Sequence, residues 1–235
     1  MTRTSPVSRS RMLLLGDFHG RHAAVERVAE CLDEHGIDTI VLCGDFTNFG
    51  EHFEALFRFI KKHGLTCAFV SGNHESKTLC QKLSSQYGFS YLDYRQEVVR
   101  GLLLTGIGGY DMYSAERTFN VHEFASKDLR SGDAPVSVLL THEPPYPWSY
   151  KGKDEGSQTI SEFVEGGTFD LIVTGHFHEP DLRIEKRPNG VPVINPGDFG
   201  CILDVDFGAR CLTVMNRTGG VSFMHGWAEG ASRSP

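Results

Sequence analysis

No apolar run in these 235 residues approaches the roughly 20 that a membrane helix needs. The expectation is a cytoplasmic protein with no membrane partner. Positive charge is also scarce: 23 Lys and Arg against 30 Asp and Glu leave a net charge of -7 with histidine neutral. That balance excludes a broad cationic surface for non-specific nucleic-acid binding. A nucleic acid enters only as a substrate, because bound cations can supply positive charge locally. Cysteine is limited to six residues, none in a C-x-x-C pair. Cys43 and Cys67 fall inside apolar runs, where free cysteine packs as a small apolar residue. All six are expected to be reduced and structural. Linkers, repeats and low-complexity stretches are missing beyond the N-terminal residues. Met1–Arg11 is basic and rich in Ser and Thr, and the apolar run after it, Met12–Leu15, is too short for a signal-peptide core. Residues 1–10 read as a disordered tail and 11–235 as one domain, long enough to bury a sizeable core.

What is present is a run of alternating elements. Met12–Leu15 reads as a buried strand ending at Gly16. Arg21–His35 carries Val25, Val28, Ala29 and Leu32 on one helical face, and Gly36 suits its C-cap. Thr39–Cys43 is a strand, Glu51–His63 an amphipathic helix stopped by Gly64, and Leu65–Val70 a third strand. This order predicts a parallel sheet with helices on its faces. A short helix is expected over Lys77–Ser85, strands at Val98–Val99, Leu102–Ile107, Val136–Thr141 and Leu171–Thr174, and a helix at Gln158–Glu165. From Leu182 onward short strands alternate with turn residues and read as antiparallel hairpins. The predicted class is α/β, a four-layer sandwich: two mixed β-sheets packed face to face with helices outside.

Five polar clusters follow five of these apolar runs. They are Asp17-Phe18-His19, Gly44-Asp45, Gly72-Asn73-His74, His142, and Gly175-His176-Phe177-His178. Ligand sites in open α/β sheets form at the carboxyl ends of strands. The five strand ends therefore deliver Asp, Asn and His to one rim. Carboxylate, amide oxygen and imidazole without thiolate suit Mn²⁺, with Fe²⁺ or Zn²⁺ as alternatives. Asp17 and His19 alternate across one residue and can face one ion; so can His176 and His178. Asp45 can bridge, having two carboxylate oxygens. Two such ions can hold a hydroxide for in-line attack on a phosphoester. Any one of these clusters alone is weak: Asp-x-His after a strand is commonly a cap, and Gly-Asn-His commonly a turn. Their ordered co-occurrence carries the reading.

As a set, these motifs resemble those of the calcineurin-like metallophosphoesterase superfamily, D-x-H, G-D, G-N-H-[DE], H and G-H-x-H, with Glu75 in the acidic slot. The resemblance spans Asp17 to His178. It implies that Asp17, His19 and His178 hold one divalent ion and Asn73, His142 and His176 a second, with Asp45 bridging. It also implies that His74 is not a ligand but contacts the phosphate and protonates the leaving oxygen. Gly44-Asp45-Phe46-Thr47, His142-Glu143-Pro144-Pro145 and Ile194-Asn195-Pro196-Gly197 are similar to the small phosphodiesterase branch that includes brain metallophosphodiesterases and prokaryotic relatives. Gly16-Asp17-Phe18-His19-Gly20 also resembles the opening motif of Ser/Thr protein phosphatases. Their G-D-x-V-D-R-G is Gly44-Asp45-Phe46-Thr47-Asn48-Phe49-Gly50 here, without the Asp and Arg, and the Arg expected after G-N-H-E is Ser76. Asn48 and Ser76 are read as standing in the arginine places.

The expectation is thus a dinuclear phosphodiesterase acting on a small or nucleotide-derived diester. A phosphomonoesterase or nuclease on the same core is the alternative. A non-catalytic adaptor on the same fold is the reading from another class; it would show lost ligands, and none is lost. A homo-oligomer is left open. His22, His35, His52, His63 and His122 read as solvated, and Pro144–Trp148 as a stretch that rigidifies the loop after His142.

Overall fold

The computed structural model describes residues 8–127, 134–166, 169–216 and 218–227. Its first strand sets the architecture. In β1 (Arg9–Leu15), Met12 and Leu14 join one apolar cluster, and Leu13 and Leu15 join another. A strand buried on both faces belongs in the middle of a covered sheet.

The chain continues through α1 (Ala23–His35), β2 (Thr39–Cys43), α2 (Glu54–Lys62), β3 (Thr66–Val70), α3 (Lys77–Tyr87) and β4 (Ser90–Tyr91). Then come β5 (Arg95–Val99), β6 (Leu102–Ile107), α4 (Arg117–Ala125), β7 (Val136–Thr141), β8 (Trp148–Tyr150), β9 (Lys153–Glu155) and α5 (Gln158–Gly166). The last elements are β10 (Leu171–Val173), β11 (Arg183–Lys186), β12 (Pro192–Asn195), β13 (Cys201–Asp206), β14 (Cys211–Met215) and β15 (Val221–Gly226). One sheet has seven strands in the order β15-β14-β13-β1-β2-β3-β4, and another has six in the order β11-β12-β10-β7-β6-β5. Strands β8 and β9 form a separate hairpin.

Three apolar clusters define the layers. The first joins Met12, Leu14 and Val41 of the seven-stranded sheet to Leu104, Val138 and Leu171 of the six-stranded one, so the sheets pack face to face. The second joins Leu13 and Ile40 to Val28 of α1, Phe57 of α2 and Leu83 of α3. The third joins Leu139 and Ile172 to Val121 and Phe124 of α4 and Ile160 of α5. The order helix, sheet, sheet, helix is the four-layer α/β sandwich predicted above. No described helix is long and apolar enough to cross a membrane.

Several boundaries differ from the sequence expectation. β1 begins at Arg9, so Arg9 and Ser10 are strand rather than tail; the rest of that expectation, over residues 1–7, lies outside the described residues. The cause is Asp204 on the paired strand β13, which accepts hydrogen bonds from both Arg9 and Arg11. The hairpins of the last third are not one group. β12 pairs antiparallel with β11 but parallel with β10, whereas β13, β14 and β15 form a meander in the other sheet. Helix α4 was not predicted: Arg117, Val121 and Phe124 face inward, but the outward Phe119 blurs the apolar stripe. His35 is not solvated. Its ring is largely covered, and its carbonyl accepts from Arg11 Nη1 at 2.7 Å.

Candidate metal centre

β1, β2 and β3 run parallel in one sheet, and β6, β7 and β10 run parallel in the other. Their carboxyl ends share one edge of the sandwich. Asp17 and His19 follow β1, Asp45 follows β2, and Asn73 and His74 follow β3. His142 follows β7, and His176 and His178 follow β10. Several bonds tie the sheets together at this edge, two of them made by predicted site residues. His142 Nδ1 lies 2.9 Å from the Cys43 carbonyl oxygen, and Asp17 Oδ1 accepts from His176 N at 2.9 Å.

The loops are held in unusual backbone conformations. Asp17, His19, Asp45 and His176 have φ of 54°, 46°, 46° and 70°. Non-glycine residues are uncommon in the left-handed region, Asp and His entering it more readily than most, and such residues cluster at functional sites. Close packing over-determines these loops. The first loop continues its pairing with the second through His19 N to Asp45 O at 2.9 Å and Gly20 N to Phe46 O at 3.0 Å. Phe46 is buried against Phe57 and Phe69, which fixes the residue next to Asp45. Gly72 has no alternative, since a Cβ there would overlap Asp45 Oδ1 and Asp45 N.

Glu75 is the hub beneath the site. Its buried carboxylate accepts from Asp45 N at 2.9 Å, Gly72 N at 2.7 Å, Thr47 N at 2.8 Å and Thr47 Oγ1 at 2.7 Å. The acidic slot thus serves to pin the β2 and β3 loops to each other. Burial, with Asp45 nearby, pushes its carboxyl up to about 7. On the far side Ser71 Oγ accepts from Gly109 N and Tyr110 N, so the β3 loop is also tied to the loop after β6.

The functional groups converge as three overlapping sets: Asp17 with His19 and His178; His19 with Asp45 and His74; Asp17 with Asp45 and His142. Within each set the ligand atoms lie within 4.8 Å of one another. Ions held at roughly 2.0–2.2 Å by nitrogen and oxygen need ligand atoms in about that spread. His19 Nε2 and His178 Nε2 are 3.2 Å apart. Asp45 Oδ2 lies 3.9 Å from His19 Nε2 and 3.8 Å from His74 Nε2, while Asp45 Oδ1 lies 3.6 Å from His142 Nε2. Asn73 Oδ1 is 3.1 Å from His142 Nε2, and the rings of His142 and His176 are 5.1 Å apart.

The electrostatics fit divalent cations. Burial, with Asp45 beside it, drives the Asp17 carboxyl well above its ordinary value. Burial also holds the imidazoles of His19 and His142 below theirs, and His176 at about 4. Among the described residues, the basic side chains within 4.0 Å of the Asp45 carboxylate are the imidazoles of His19, His74 and His142. Buried carboxylates beside His19, His142 and His176, whose burial disfavours the charged imidazolium, are short of counter-charge, and neutral imidazole is the form that binds metal.

All eight predicted site residues therefore meet at one edge. Asp17, His19 and His178 form one set, and His142 lies beside Asp45, Asn73 and the His176 ring. His74 stands as near to Asp45 as His19 does. Two features were not anticipated. Thr47 and Glu75 work as a backbone anchor, signalled in the sequence only by an acidic residue after Gly-Asn-His. Counting along Gly44–Gly50 against G-D-x-V-D-R-G puts Asn48 at the aspartate, so the arginine's counterpart is Phe49 rather than Asn48. Phe49 lies against His74, with ring centroids 3.9 Å apart.

Known proteins share this arrangement of strands. The protein TT1561 of Thermus thermophilus superposes with a TM-score of 0.62 at 19% identity, covering 88% of this chain and 99% of that one. A structure described as a novel archaeal phosphodiesterase superposes with a TM-score of 0.50 at 15% identity, covering 88% and 99%. At these identities the likeness is one of fold. An uncharacterised protein of Methanocaldococcus jannaschii is 26% identical over 177 residues, 68% of this chain and 77% of that one. The calcineurin-like phosphoesterase model matches residues 10–180, from the second residue of β1 to just past His178 and so across every loop that carries the converging side chains; the chain belongs to the calcineurin-like phosphoesterase family.

Proposed function

We propose that this protein is a phosphodiesterase that uses two divalent ions, Mn²⁺ first among the candidates, on a small or nucleotide-derived diester. The observation that carries the reading is the placement of Asp45, whose two oxygens face imidazoles from three other loops. Asp17, His19 and His178 would hold one ion, Asn73, His142 and His176 the other, with Asp45 shared. Such ions supply a water nucleophile at neutral pH and neutralise charge on the phosphoryl oxygens.

The chain's own groups do the rest. Glu75 and Thr47 fix the backbone that aims Asp45 and His74. His74 N donates to Asp45 Oδ1 at 2.9 Å, which holds the imidazole beside the shared carboxylate. His74 is partly open to solvent, so a leaving oxygen can reach it and take its proton. The archaeal neighbour described as a phosphodiesterase is consistent with this reading but shares only the fold.

The test is hydrolysis of bis(p-nitrophenyl) phosphate by protein stripped of metal and reloaded with Mn²⁺, Fe²⁺ or Zn²⁺. Turnover that appears only on reloading, highest with Mn²⁺, is expected. Hydrolysis that is indifferent to stripping, or absent with every ion, overturns the proposal.

A further inference from the structure

Phe49 sits in a position that the fold does not need. Asn48 and Glu51 exchange backbone hydrogen bonds, Asn48 N to Glu51 O at 3.0 Å and Glu51 N to Asn48 O at 3.1 Å. Between them Phe49 has φ of 50° and Gly50 of 91°. This is the tight hairpin turn whose first central position favours Asn, Asp or Gly. A bulky aromatic there is strained. Nor does burial offset the strain, because Phe49 is 74% exposed.

The ring is nonetheless held in place. Gly50 N donates to Thr47 Oγ1 at 2.9 Å, and that hydroxyl donates to Glu75 Oε1 at 2.7 Å. The same Glu75 carboxylate holds Asp45 N and Gly72 N. The turn is therefore bolted to the frame that positions Asp45 and His74. One face of the Phe49 ring lies on the His74 imidazole, tilted by 23°. The ring's remaining exposed surface is open at the mouth of the site. With His74 at the leaving group, as proposed above, a group departing past it would run alongside that surface.

We propose that Phe49 is a specificity-determining residue that stacks on a flat aromatic ring, an aryl group or a nucleobase, carried on the leaving side of the phosphoester. Strain at an exposed aromatic beside a reactive group is the signature of a ligand clamp. Stacking on an aromatic side chain tolerates any base, since every base has a π-face. The proposal rests on His74 standing at the leaving group.

Two matched pairs test it and separate the two sources of ring. Methyl phenyl phosphate against methyl hexafluoroisopropyl phosphate compares leaving groups of similar acidity, one aromatic and one aliphatic. The methyl phosphodiesters of adenosine and of 1-deoxyribose through the 5′ oxygen compare one alkoxide with and without a base. The wild type should favour the aromatic member of at least one pair by about tenfold in kcat/KM, within the range for one stacked base. Phe49→Asn keeps a residue the turn favours and removes the ring; the preference should fall to within about twofold of unity. Phe49→Trp should keep it. A preference preserved in Phe49→Asn, or absent from both pairs in the wild type, overturns the proposal. If no diester is turned over, the phosphodiesterase reading fails instead, and stacking is read from fluorescence of Phe49→Trp. Quenching by adenosine 5′-monophosphate but not by ribose 5-phosphate supports the clamp; equal responses sink it.

Discussion

His142 Nδ1 points at the Cys43 carbonyl oxygen, 2.9 Å away, across the interface between the two sheets. A carbonyl only accepts, so Nδ1 carries the proton. Burial keeps this imidazole neutral. Nε2 is then a bare lone pair, and it faces Asn73 Oδ1 at 3.1 Å and Asp45 Oδ1 at 3.6 Å. Three acceptor atoms thus converge at one point. A backbone carbonyl that fixes the tautomer of a histidine is the usual second partner of a metal-binding imidazole.

From this follows a difference between two substitutions. His142→Ala should remove one ion and spare the position lined by Asp17, His19 and His178. Asp45→Asn should deplete both, because on the proposed assignment one carboxylate would serve the two positions. Elemental analysis of the purified variants measures this directly. Full metal content in Asp45→Asn would take Asp45 out of the bridging role.

His74→Ala should retain both ions and still lose turnover, by roughly 10²–10⁴ in kcat, the range for a general acid. The loss should shrink for nitrophenolate leaving groups, which need little protonation. An equal loss for good and poor leaving groups would leave His74 with electrostatic contact alone.

Much of this site was legible because each ligand lies just beyond an apolar strand. Leu13, Leu14 and Leu15 announce β1, and the residues after Gly16 stand where a parallel sheet places its ligands. What was hidden depends on non-local contacts. Nothing in the segment around Glu75 says that its carboxylate receives backbone donors from Asp45 and Thr47, about 30 residues earlier. The left-handed Phe49 was illegible for the opposite reason: its neighbours Asn48 and Gly50 announce a turn, but local preference does not put an aromatic there. Helix α4 is fixed by Arg117 bonding Asp111 and the Gly108 carbonyl, a polar contact that apolar periodicity cannot show.

The same non-local logic applies at the start of β1. Arg9 Nε donates to Asp204 Oδ1 at 2.7 Å and Arg11 Nε to Oδ2 at 2.9 Å. Burial pushes the Asp204 carboxyl up, but the Arg9 and Arg11 bonds outweigh it, so the group sits below its ordinary value. Its contribution is fully present above the unfolded pKa of about 3.9 and is lost as pH falls through the lower folded value. Charged hydrogen bonds contribute about 1.5–3 kcal/mol, and exposure of the guanidinium groups reduces this. Asp204→Asn should therefore cost about 1–2 kcal/mol near neutral pH, and the gap from wild type should narrow below about pH 4. Urea unfolding at both pH values reads this; a gap that widens in acid contradicts it.

The last prediction is a preference for diesters over monoesters. A monoester near neutral pH is largely dianionic and gains from a guanidinium fork beyond the metal ions. Here the arginine's counterpart in the second motif is the apolar Phe49, and the one after Gly-Asn-His-Glu is Ser76, which caps α3 by accepting from Leu79 N. Several other cations among the described residues are committed elsewhere. Arg183 bonds Glu179 and Glu185 and lies over the Trp148 ring at 4.5 Å. Arg117 is buried against Asp111, Arg21 reaches Asp198 and backbone carbonyls, and Lys151 lies over Tyr150. A diester carries one negative charge, which the metal ions and His74 can balance unaided. With matched nitrophenyl esters and Mn²⁺, the diester should lead in kcat/KM by about tenfold, the worth of one missing charged hydrogen bond to the monoester. A monoester that is clearly faster would mean that one of these arginines leaves its carboxylate to meet the substrate, and Arg183→Ala would then erase the monoester's lead.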